Sequence, residues 1–309
     1  MTPAWRAATA VCIGLVGASL ADAQQVADTS FRPAVGERAF GAGSGPVVAI
    51  DAGHRNFHTA DGRYRAFAEL ARRDGYRVRS LAAPFSQASL AGIDVLVIAN
   101  ALHPRNEEDW TLPVRSAFTA VEIDAVRAWV AGGGALLLIA DHMPFPGAAA
   151  DLAAAFGFTL SNGFALDTVQ PGAPIVFRRT DRSLAAGAVA DGRSPAERVD
   201  SVVTFTGEAF RGPPNAMPLL TLRSSVVSLL PDTAWQFSDE TPRIAVGGWW
   251  QGALAAHGRG RVAVFGEAAM FTAQVAGPER QPMGMNVPAA AQNAQLLLNV
   301  LHWMSGLLD

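Results

Sequence analysis

Residues 132–142 read GGGALLLIADH, and this stretch decides the fold that the sequence predicts. The three glycines end a preceding helix, and the apolar run Ala135–Ala140 is typical of a strand buried on both faces of a parallel sheet. Asp141 and His142 follow directly. Polar side chains at the end of a buried strand need hydrogen-bond partners or a functional role, because burying them without partners is costly. The stretch therefore predicts a buried strand with a polar site at its carboxyl end.

The same strand pattern recurs on both sides of this stretch. Strands are predicted at residues 47–50 (VVAI), 76–81, 94–100 (DVLVIAN) and 261–265 (RVAVF). Helices are predicted over residues 63–74, 119–131, 147–156 and 288–307. The second helix begins with a capping box, in which Thr119 and Glu122 satisfy free amide donors. Alternating strands and helices predict an α/β fold, a parallel sheet with helices on both faces.

Three further segments complete the predicted organisation. Residues 166–243 are rich in proline and glycine and contain short strand-like pieces, which predicts a β-rich insertion. Residues 24–45 are polar or small and show no periodicity, which is typical of a linker. Residues 46–309 then form a single α/β domain, a normal size for one domain with an insertion.

The first 23 residues predict export from the cytoplasm. Arg6 precedes an apolar stretch, residues 7–20, that is shorter than the roughly 20 residues needed to cross a bilayer. Ala21-Asp22-Ala23 fits a signal peptidase site, so cleavage is expected after Ala23. The alternative is an uncleaved N-terminal anchor. Either way, the domain is expected in the periplasm or outside the cell.

Composition and motifs exclude several function classes. The single cysteine, Cys12, lies within the signal peptide, so the mature chain has no thiolate nucleophile, disulfide or cysteine metal ligand. The net charge is −3 and no basic run occurs, which makes nucleic acid an improbable partner. No later apolar stretch is long enough to cross a membrane. The sequence gives no indication of oligomeric state.

Polar residues follow the predicted strands. They are Asp51, His54, Asn56 and His58 after the first strand, Asn100 and His103 after the third, Asp141 and His142 after the fourth, Glu267 after the last, and Asn286 before the final helix. The carboxyl ends of parallel strands meet at one edge of a sheet, where ligands bind in open α/β folds. We therefore expect these side chains to form one site.

The residue types suggest a role for each member of this predicted site. Asp51, Asp141 and Glu267 are expected to be catalytic. His54, His58 and His142 are expected to bind a metal, since imidazoles and carboxylates without thiolates suit Zn, Mn or Fe. Asn56, Asn100, His103 and Asn286 are expected to bind substrate. A divalent ion in such a site generates hydroxide or polarises a carbonyl.

Simpler interpretations compete with this one. Asp51 can cap a turn, Glu267 can interact with a helix start, and His103 can be solvated. Without a metal, an Asp–His pair can act as a general base, although no nucleophile is evident. Three hypotheses follow: a metal-dependent hydrolase-like enzyme, a non-catalytic module that binds a glycan or an envelope partner, and a hydrogen-bond network that is purely structural.

Several motifs resemble those of the DUF4350 proteins. They are residues 51–59 (DAGHRNFHT), 141–145 (DHMPF), 266–270 (GEAAM) and the ending 292–303. The resemblance implies a flavodoxin-like fold of the class I glutamine amidotransferase-like superfamily. In the catalytic members of that superfamily a cysteine follows a central strand at a sharp turn. Here the analogous turn is Asp141-His142 and carries no cysteine, so amidotransferase activity is not expected.

Overall fold

The computed structural model describes residues 25–309, and the predicted signal peptide lies outside this range. The helices of this part are α1 (Arg65–Arg73), α2 (Ala120–Ala131), α3 (Phe145–Ala154), α4 (Ala188–Asp191) and α5 (Asn293–Met304). The strands are β1 (Val26–Ala27), β2 (Val47–Asp51), β3 (Arg77–Leu81), β4 (Val95–Ala99), β5 (Ala135–Ile139), β6 (Thr159–Leu160), β7 (Phe164–Asp167), β8 (Ile175–Arg178), β9 (Ser201–Thr204), β10 (Phe210–Arg211), β11 (Met217–Thr221), β12 (Val226–Leu229), β13 (Arg243–Ala245), β14 (Trp250–His257), β15 (Gly260–Phe265), β16 (Ala273–Ala276) and β17 (Gln281–Gly284).

The largest sheet has nine strands and is mixed. Its order is β3-β2-β4-β5-β15-β14-β10-β6, with β11 also paired to β14. The neighbours from β3 to β15 pair in parallel. Beyond β15 every pair is antiparallel. The predicted strands at residues 47–50, 76–81, 94–100, 135–140 and 261–265 thus correspond to the parallel part.

The predicted flavodoxin-like parallel sheet is wrong for the fold as a whole. Strand accounts for 26% of the structure and helix for 21%, and three smaller antiparallel sheets accompany the mixed one. The antiparallel part begins at β14, which pairs with β15 so that His257 lies opposite Gly260. A two-residue connection suffices there because Gly258 adopts a φ of +60°, which glycine tolerates without strain.

Alternate residues of the parallel strands pack into two apolar cores. Val97 of β4 faces a core that includes residues of α1 and α5. Its neighbour Leu96 faces a second core that includes residues of α2 and α3. This follows from the two-residue period of a strand, which sends successive side chains to opposite faces. Complete burial of one such side chain contributes about 2 kcal/mol to stability, and the two cores fix the positions of the strand ends.

Helix α2 begins as the sequence predicts. The Thr119 hydroxyl accepts a hydrogen bond from the Glu122 amide at 3.3 Å, and the Glu122 carboxylate accepts one from the Thr119 amide at 3.0 Å. The predicted capping box is therefore confirmed. Gly132 follows the last helical residue, also as expected.

Residues 25–45 are not a free linker, which corrects the prediction for this segment. Strand β1 pairs with β16, with Val26 opposite Val275. Farther along, the Phe40 ring lies 5.1 Å from the Tyr76 ring and packs against the core. Gly75 allows this contact: its φ is +103°, and a Cβ there would lie 2.3 Å from the Phe40 carbonyl oxygen. Polarity suggested a linker, but the few apolar residues of the segment anchor it.

The predicted insertion at residues 166–243 contains most of the smaller sheets. Strands β7, β12 and β13 form a three-stranded sheet, and β8 and β9 form a pair. Strands β10 and β11 lie in the same region and join the large sheet beside β14. Within residues 25–309, no helix combines the length and the apolar character that crossing a membrane requires.

Candidate functional site

A cleft of about 650 Å³ lies where the parallel strands end. The predicted site residues that line it are His58, Asn100, Asp141, His142 and Glu267. They follow strands β2, β4, β5 and β15, so loops from separate strands converge as predicted for these side chains. The location agrees with the rule that ligands bind beyond the carboxyl ends of parallel strands.

A larger groove of about 980 Å³ lies at the opposite ends of these strands and offers less chemistry. Its acidic residue Asp94 accepts a hydrogen bond from the Val47 amide at 2.7 Å. Its Arg259 donates to the Gly132 carbonyl at 2.7 Å. These polar side chains already bind backbone groups, so the chemistry-bearing residues are concentrated in the 650 Å³ cleft.

His58 is held in one tautomer by its neighbour. Its Nδ1 lies 3.2 Å from Nδ2 of Asn100, and Oδ1 of the same amide accepts the Asp141 backbone N–H at 2.9 Å. The second bond fixes the amide orientation, so Nδ2 donates and His58 Nδ1 accepts. The ring proton is therefore on Nε2. Burial, together with the charge of Arg63, lowers the pKa of His58 to about 3, which keeps the ring neutral.

His142 is held in the opposite tautomer. Its Nδ1 lies 2.7 Å from the Met143 carbonyl oxygen, an atom that only accepts, so Nδ1 carries the proton. The lone pair of the neutral ring is then on Nε2. The ring stacks on Phe164 at 4.7 Å between centroids and meets the edge of Trp235 at 4.6 Å. The cleft thus contains one imidazole that donates through Nε2 and another that accepts through Nε2.

Two carboxyl groups lie beside these histidines. Asp141 accepts the His142 amide at 2.8 Å and the Ala268 amide at 3.3 Å. Glu267 accepts the amides of Ala269 at 3.0 Å and Met270 at 2.6 Å. Burial and the nearby charge of Asp141 raise the pKa of Glu267 well above its usual value. Two close carboxyl groups cannot both ionise easily, so the raised pKa favours the protonated form of Glu267.

Glu208 is a buried carboxyl group that sequence reasoning missed. Its Oε2 accepts the amides of Ser161 at 2.8 Å and Asn162 at 3.2 Å, whereas its Oε1 has no hydrogen-bond partner among the described residues. Burial raises its pKa well above the usual value. A signal was present: residues 207–209 and 266–268 both read GEA, and each copy follows a strand within two residues. The Glu208 amide donates to the Gly266 carbonyl at 2.8 Å, so the two copies lie side by side.

Arg63 lines the cleft and was not predicted as a site residue from the sequence. Its guanidinium carbon lies 3.7 Å from the centroid of the Phe57 ring, and one terminal nitrogen donates to the Phe57 carbonyl at 3.2 Å. In the part of the chain that the structure describes, no carboxylate lies within ion-pair distance of it. Burial lowers the pKa of Arg63, but guanidinium stays charged in proteins. The aromatic residues that line the cleft are Phe57, Trp110, Phe145, Phe205 and Trp235.

His54 lies outside the cleft and is used structurally, which corrects its predicted role as a metal ligand. Its Nδ1 lies 2.9 Å from Asp51, and its Nε2 lies 2.9 Å from Glu122. Both ring nitrogens are thus engaged by carboxylates, and neither is free for a metal. Burial opposes a charge on His54, but hydrogen bonds and charges from the two carboxylates outweigh it and raise its pKa.

The remaining predicted residues also lie outside the cleft. Asn56 donates to Asp51 at 3.0 Å, and His103 accepts the Arg105 amide at 3.0 Å as the cap of a short 3-10 helix. Asn286 donates to Asp28 at 3.0 Å. The predictions that Asp51 is catalytic and that these three residues bind substrate therefore need correction, because these side chains are held in local hydrogen bonds outside the cleft, although Asn286 Oδ1 has no partner among the described residues.

The three histidines predicted to bind metal do not form one site. Across residues 25–309, no group of three or more His, Cys, Asp or Glu side chains has the arrangement of a metal site. The physical reason is the direction of the loop after β2. His54 turns toward Asp51 and Glu122, whereas His58 turns into the cleft.

Comparisons with known proteins identify the fold and no family. No protein-family model matches this chain, and no curated protein matches it either. Among solved structures, the mmIFT52 N-terminal domain is similar, with a TM-score of 0.59, 14% identity, and coverage of 84% of this chain and 97% of that one. A cytoplasmic protein of Salmonella typhimurium LT2 has a TM-score of 0.50 and 12% identity, with coverage of 84% and 99%. Identities this low show the fold alone, and the resemblance to the DUF4350 proteins stays a prediction.

Proposed function

We propose that the cleft is the active site of a hydrolase in which His142 acts as general base. The observation that carries this proposal is the pair of opposite tautomers. Nε2 of His142 has a lone pair that can take a proton, and Nε2 of His58 has a hydrogen that can stabilise a negative oxygen. A base and an oxyanion donor in one cleft are what carbonyl hydrolysis requires when the nucleophile is water.

The proposed reaction proceeds in two steps, and His142 is returned to its starting state at the end. His142 Nε2 removes a proton from water as the water oxygen bonds to the substrate carbonyl carbon, and the His58 N–H stabilises the oxyanion that forms. The bond to the leaving group then breaks, and protonated His142 returns its proton to that group. A neutral imidazole suits the oxyanion role, because its hydrogen bond strengthens as the oxygen becomes negative.

The carboxyl groups have a supporting part in this scheme. Asp141 lies next in the chain to His142, and its charge stabilises the imidazolium that forms during the reaction. The raised pKa of Glu267 favours its protonated form, which keeps the total negative charge of the cleft low while an anionic intermediate forms there. The divalent metal expected from the sequence finds no donor set of three side chains within residues 25–309, and no step depends on it. Metal analysis of the purified protein tests that expectation.

A second function has its own support. Trp235 is 52% exposed at the cleft and has a φ of +66°, an unfavourable backbone conformation for a bulky residue. Strain of this kind is often retained at ligand sites. Aromatic walls also suit a non-catalytic module that stacks against a glycan. This alternative predicts ligand binding without turnover.

The test is a hydrolysis assay with a panel of p-nitrophenyl esters and p-nitroanilides. If the proposal is correct, the His142→Gln variant loses about 100-fold or more in kcat/KM for any substrate that the unmodified protein cleaves. His257→Gln is the matched control, because His257 contacts Phe156 and lies outside the cleft. Equal activity of both variants would contradict the proposal. Binding of a glycan without cleavage of any panel member would favour the second function.

A further inference from the structure

We infer that the substrate of this cleft is an ester of an acidic sugar, in which a pyranose ring bears a free carboxylate and an O-acyl group supplies the carbonyl, with Arg63 as the residue that selects the acid group. The inference rests on the proposed function, since it names the substrate class of the same site. It is carried by unsatisfied polar atoms and aromatic surfaces that line the cleft.

Arg63 provides the position for the carboxylate. Its guanidinium is packed on the Phe57 ring and has no acidic partner within ion-pair distance in residues 25–309. Its Nε is buried and has no hydrogen-bond partner among the residues that the structure describes. A planar guanidinium binds a carboxylate through two parallel hydrogen bonds, so an ionised substrate would complete its coordination. The charge on Asp141 in the same cleft favours a single negative charge over a phosphate dianion.

Gln274 provides the position for a hydroxyl group. This residue is 1% exposed, and its Nε2 donates to the Thr272 hydroxyl at 2.9 Å. The Thr272 hydrogen is already given to the Ala269 carbonyl at 2.9 Å, so the Gln274 amide cannot be reversed. Its Oε1 is therefore an acceptor, and the described residues offer it no donor. A sugar hydroxyl supplies the missing hydrogen, which a plain aliphatic acid cannot do.

The walls of the cleft provide the surface for the ring. Trp110 and Trp235 line it together with Phe57 and Phe205. Aromatic faces pack against the apolar C–H face of a pyranose, while the hydroxyls at the ring edge reach polar side chains. A volume of about 650 Å³ falls within the ordinary range for small-ligand sites. The cleft therefore offers a positive charge at Arg63, a hydrogen-bond acceptor at Gln274 and flat aromatic walls. This combination fits a sugar acid better than a neutral sugar or a fatty acid.

Isothermal titration calorimetry of the full chain with D-glucuronate and D-galacturonate tests this inference. D-Glucose, D-galactose and hexanoate are the reference ligands. We expect at least one uronate to bind about tenfold or more tightly than its neutral counterpart and than hexanoate, in line with a charge-assisted hydrogen-bond pair. Failure of both uronates to bind, or equal binding of the neutral sugars, overturns the inference.

Three variants test the proposed roles of Arg63 and Gln274 in ligand binding. Arg63→Gln should abolish the preference for the uronate while weak binding of the neutral sugar persists. Arg65→Gln is the control, because Arg65 is exposed and pairs with Glu69 on helix α1. Gln274→Leu should weaken uronate and neutral sugar alike, whereas hexanoate is unaffected. An undiminished uronate preference in Arg63→Gln overturns the inference.

The outcome for the proposed function is separate. If uronates bind in an Arg63-dependent way but His142→Gln still cleaves substrate at the full rate, the substrate class stands and the general base is wrong. If His142→Gln abolishes cleavage and the uronates do not bind, the general base stands and the substrate class is wrong.

Discussion

Asn100 donates a hydrogen bond of 3.2 Å from its Nδ2 to Nδ1 of His58. The other end of the same amide accepts the backbone N–H of Asp141 at 2.9 Å. Asn100 has a φ of +50°, a conformation that asparagine adopts more readily than most residues. One side chain at the end of β4 therefore sets the tautomer of His58 and also positions the first residue after β5. Asn100 is a positioning residue in the proposed mechanism.

Asn100→Asp is expected to reverse the tautomer of His58. An aspartate can still accept the Asp141 amide, but it cannot donate to His58 Nδ1. The ring would then carry its proton on Nδ1, and its pKa would rise toward the usual value because of the new negative charge. Nitrogen-15 NMR of the histidine rings measures both changes. Hydrolysis should fall about 100-fold or more, since the oxyanion donor is lost.

An Asn100→Ala variant separates the effect of the lost hydrogen bond to His58 from the effect of the added negative charge. It removes the hydrogen bond without adding a carboxylate, so His58 should show a mixture of tautomers and a smaller change of pKa. If His58 in the Asp variant keeps its proton on Nε2, Asn100 does not control the tautomer.

The low pKa of His58 predicts an acid-dependent loss of stability. The pKa is 6.5 for an unperturbed histidine and about 3 in the folded protein, where burial is the main cause. Between these values the unfolded chain binds the additional proton, so this contribution is present above pH 6.5 and is lost as the pH falls toward 3. The free energy of unfolding should fall by about 1.4 kcal/mol per pH unit in this window. Urea unfolding at several pH values measures this loss in the unmodified protein and in His58→Gln. The loss should be smaller in His58→Gln, whereas His257→Gln should behave like the unmodified protein.

The sequence predicted the parallel part of the sheet because its signals are local. The apolar runs before Asp51, Asn100 and Asp141 are short and uninterrupted, and each corresponds to a strand. The antiparallel part could not be predicted in the same way. Strand β14 (WQGALAAH) carries no clean alternation, and its neighbours β10 and β11 come from a distant region rich in proline and glycine.

The sequence correctly predicted those site residues whose position depends only on the end of the strand that precedes them. His58, Asn100, Asp141, His142 and Glu267 converge because their strands are neighbours. His54 was misassigned because its partner Glu122 lies 68 residues away on α2, where the sequence indicated only a helix cap. Sequence patterns report on neighbouring residues, so they do not reveal a hydrogen-bond partner that lies so far away along the chain. Glu122 in fact serves both the cap and the histidine.

Glu122→Gln is expected to destabilise the protein by about 2 kcal/mol, because it removes the charge-assisted hydrogen bond to His54 Nε2 while Asp51 still pairs with Nδ1. Burial opposes the charge on Glu122, but hydrogen bonds from His54 and Thr119 lower its pKa to about 2. The Glu122 contribution is lost as the pH falls from 4.5 toward 2, and the His54 contribution is lost as the pH rises above 6.5. The effect should therefore be largest between these limits.

Chemical unfolding at several pH values tests this expectation. The control is Asp124→Asn, on the exposed side of the same helix, which should change stability by less than about 0.5 kcal/mol. Similar stability of Glu122→Gln and the control would mean that the buried ion triad contributes nothing.

Glu208→Gln is expected to be tolerated, and to become favourable at alkaline pH. Burial raises the pKa of Glu208 above the usual 4.5, so the folded state holds a proton that the unfolded chain releases. The stability that Glu208 contributes is therefore present below pH 4.5 and declines as the pH rises through the folded pKa. The neutral amide has no such decline. Thermal unfolding from about pH 5 to about pH 9 should show a flatter profile for Glu208→Gln than for the exposed control Glu240→Gln. A large loss of stability at every pH would show that Glu208 is needed as a carboxylate.

Phe40→Ala distinguishes an anchored N-terminal segment from a linker. The Phe40 ring packs edge-on against Tyr76 at 5.1 Å and lies over Gly75, while its amide donates to the Asp74 carbonyl at 3.1 Å. Removing a partly buried ring of this kind should cost about 2 kcal/mol, less than the cost for a fully buried phenylalanine. The exposed Arg38→Ala is the control and should be neutral. Limited proteolysis should also cut residues 25–45 faster in Phe40→Ala, since loss of the anchor releases the segment from β16 and the core. Unchanged stability and unchanged cleavage would restore the linker interpretation for residues 25–45.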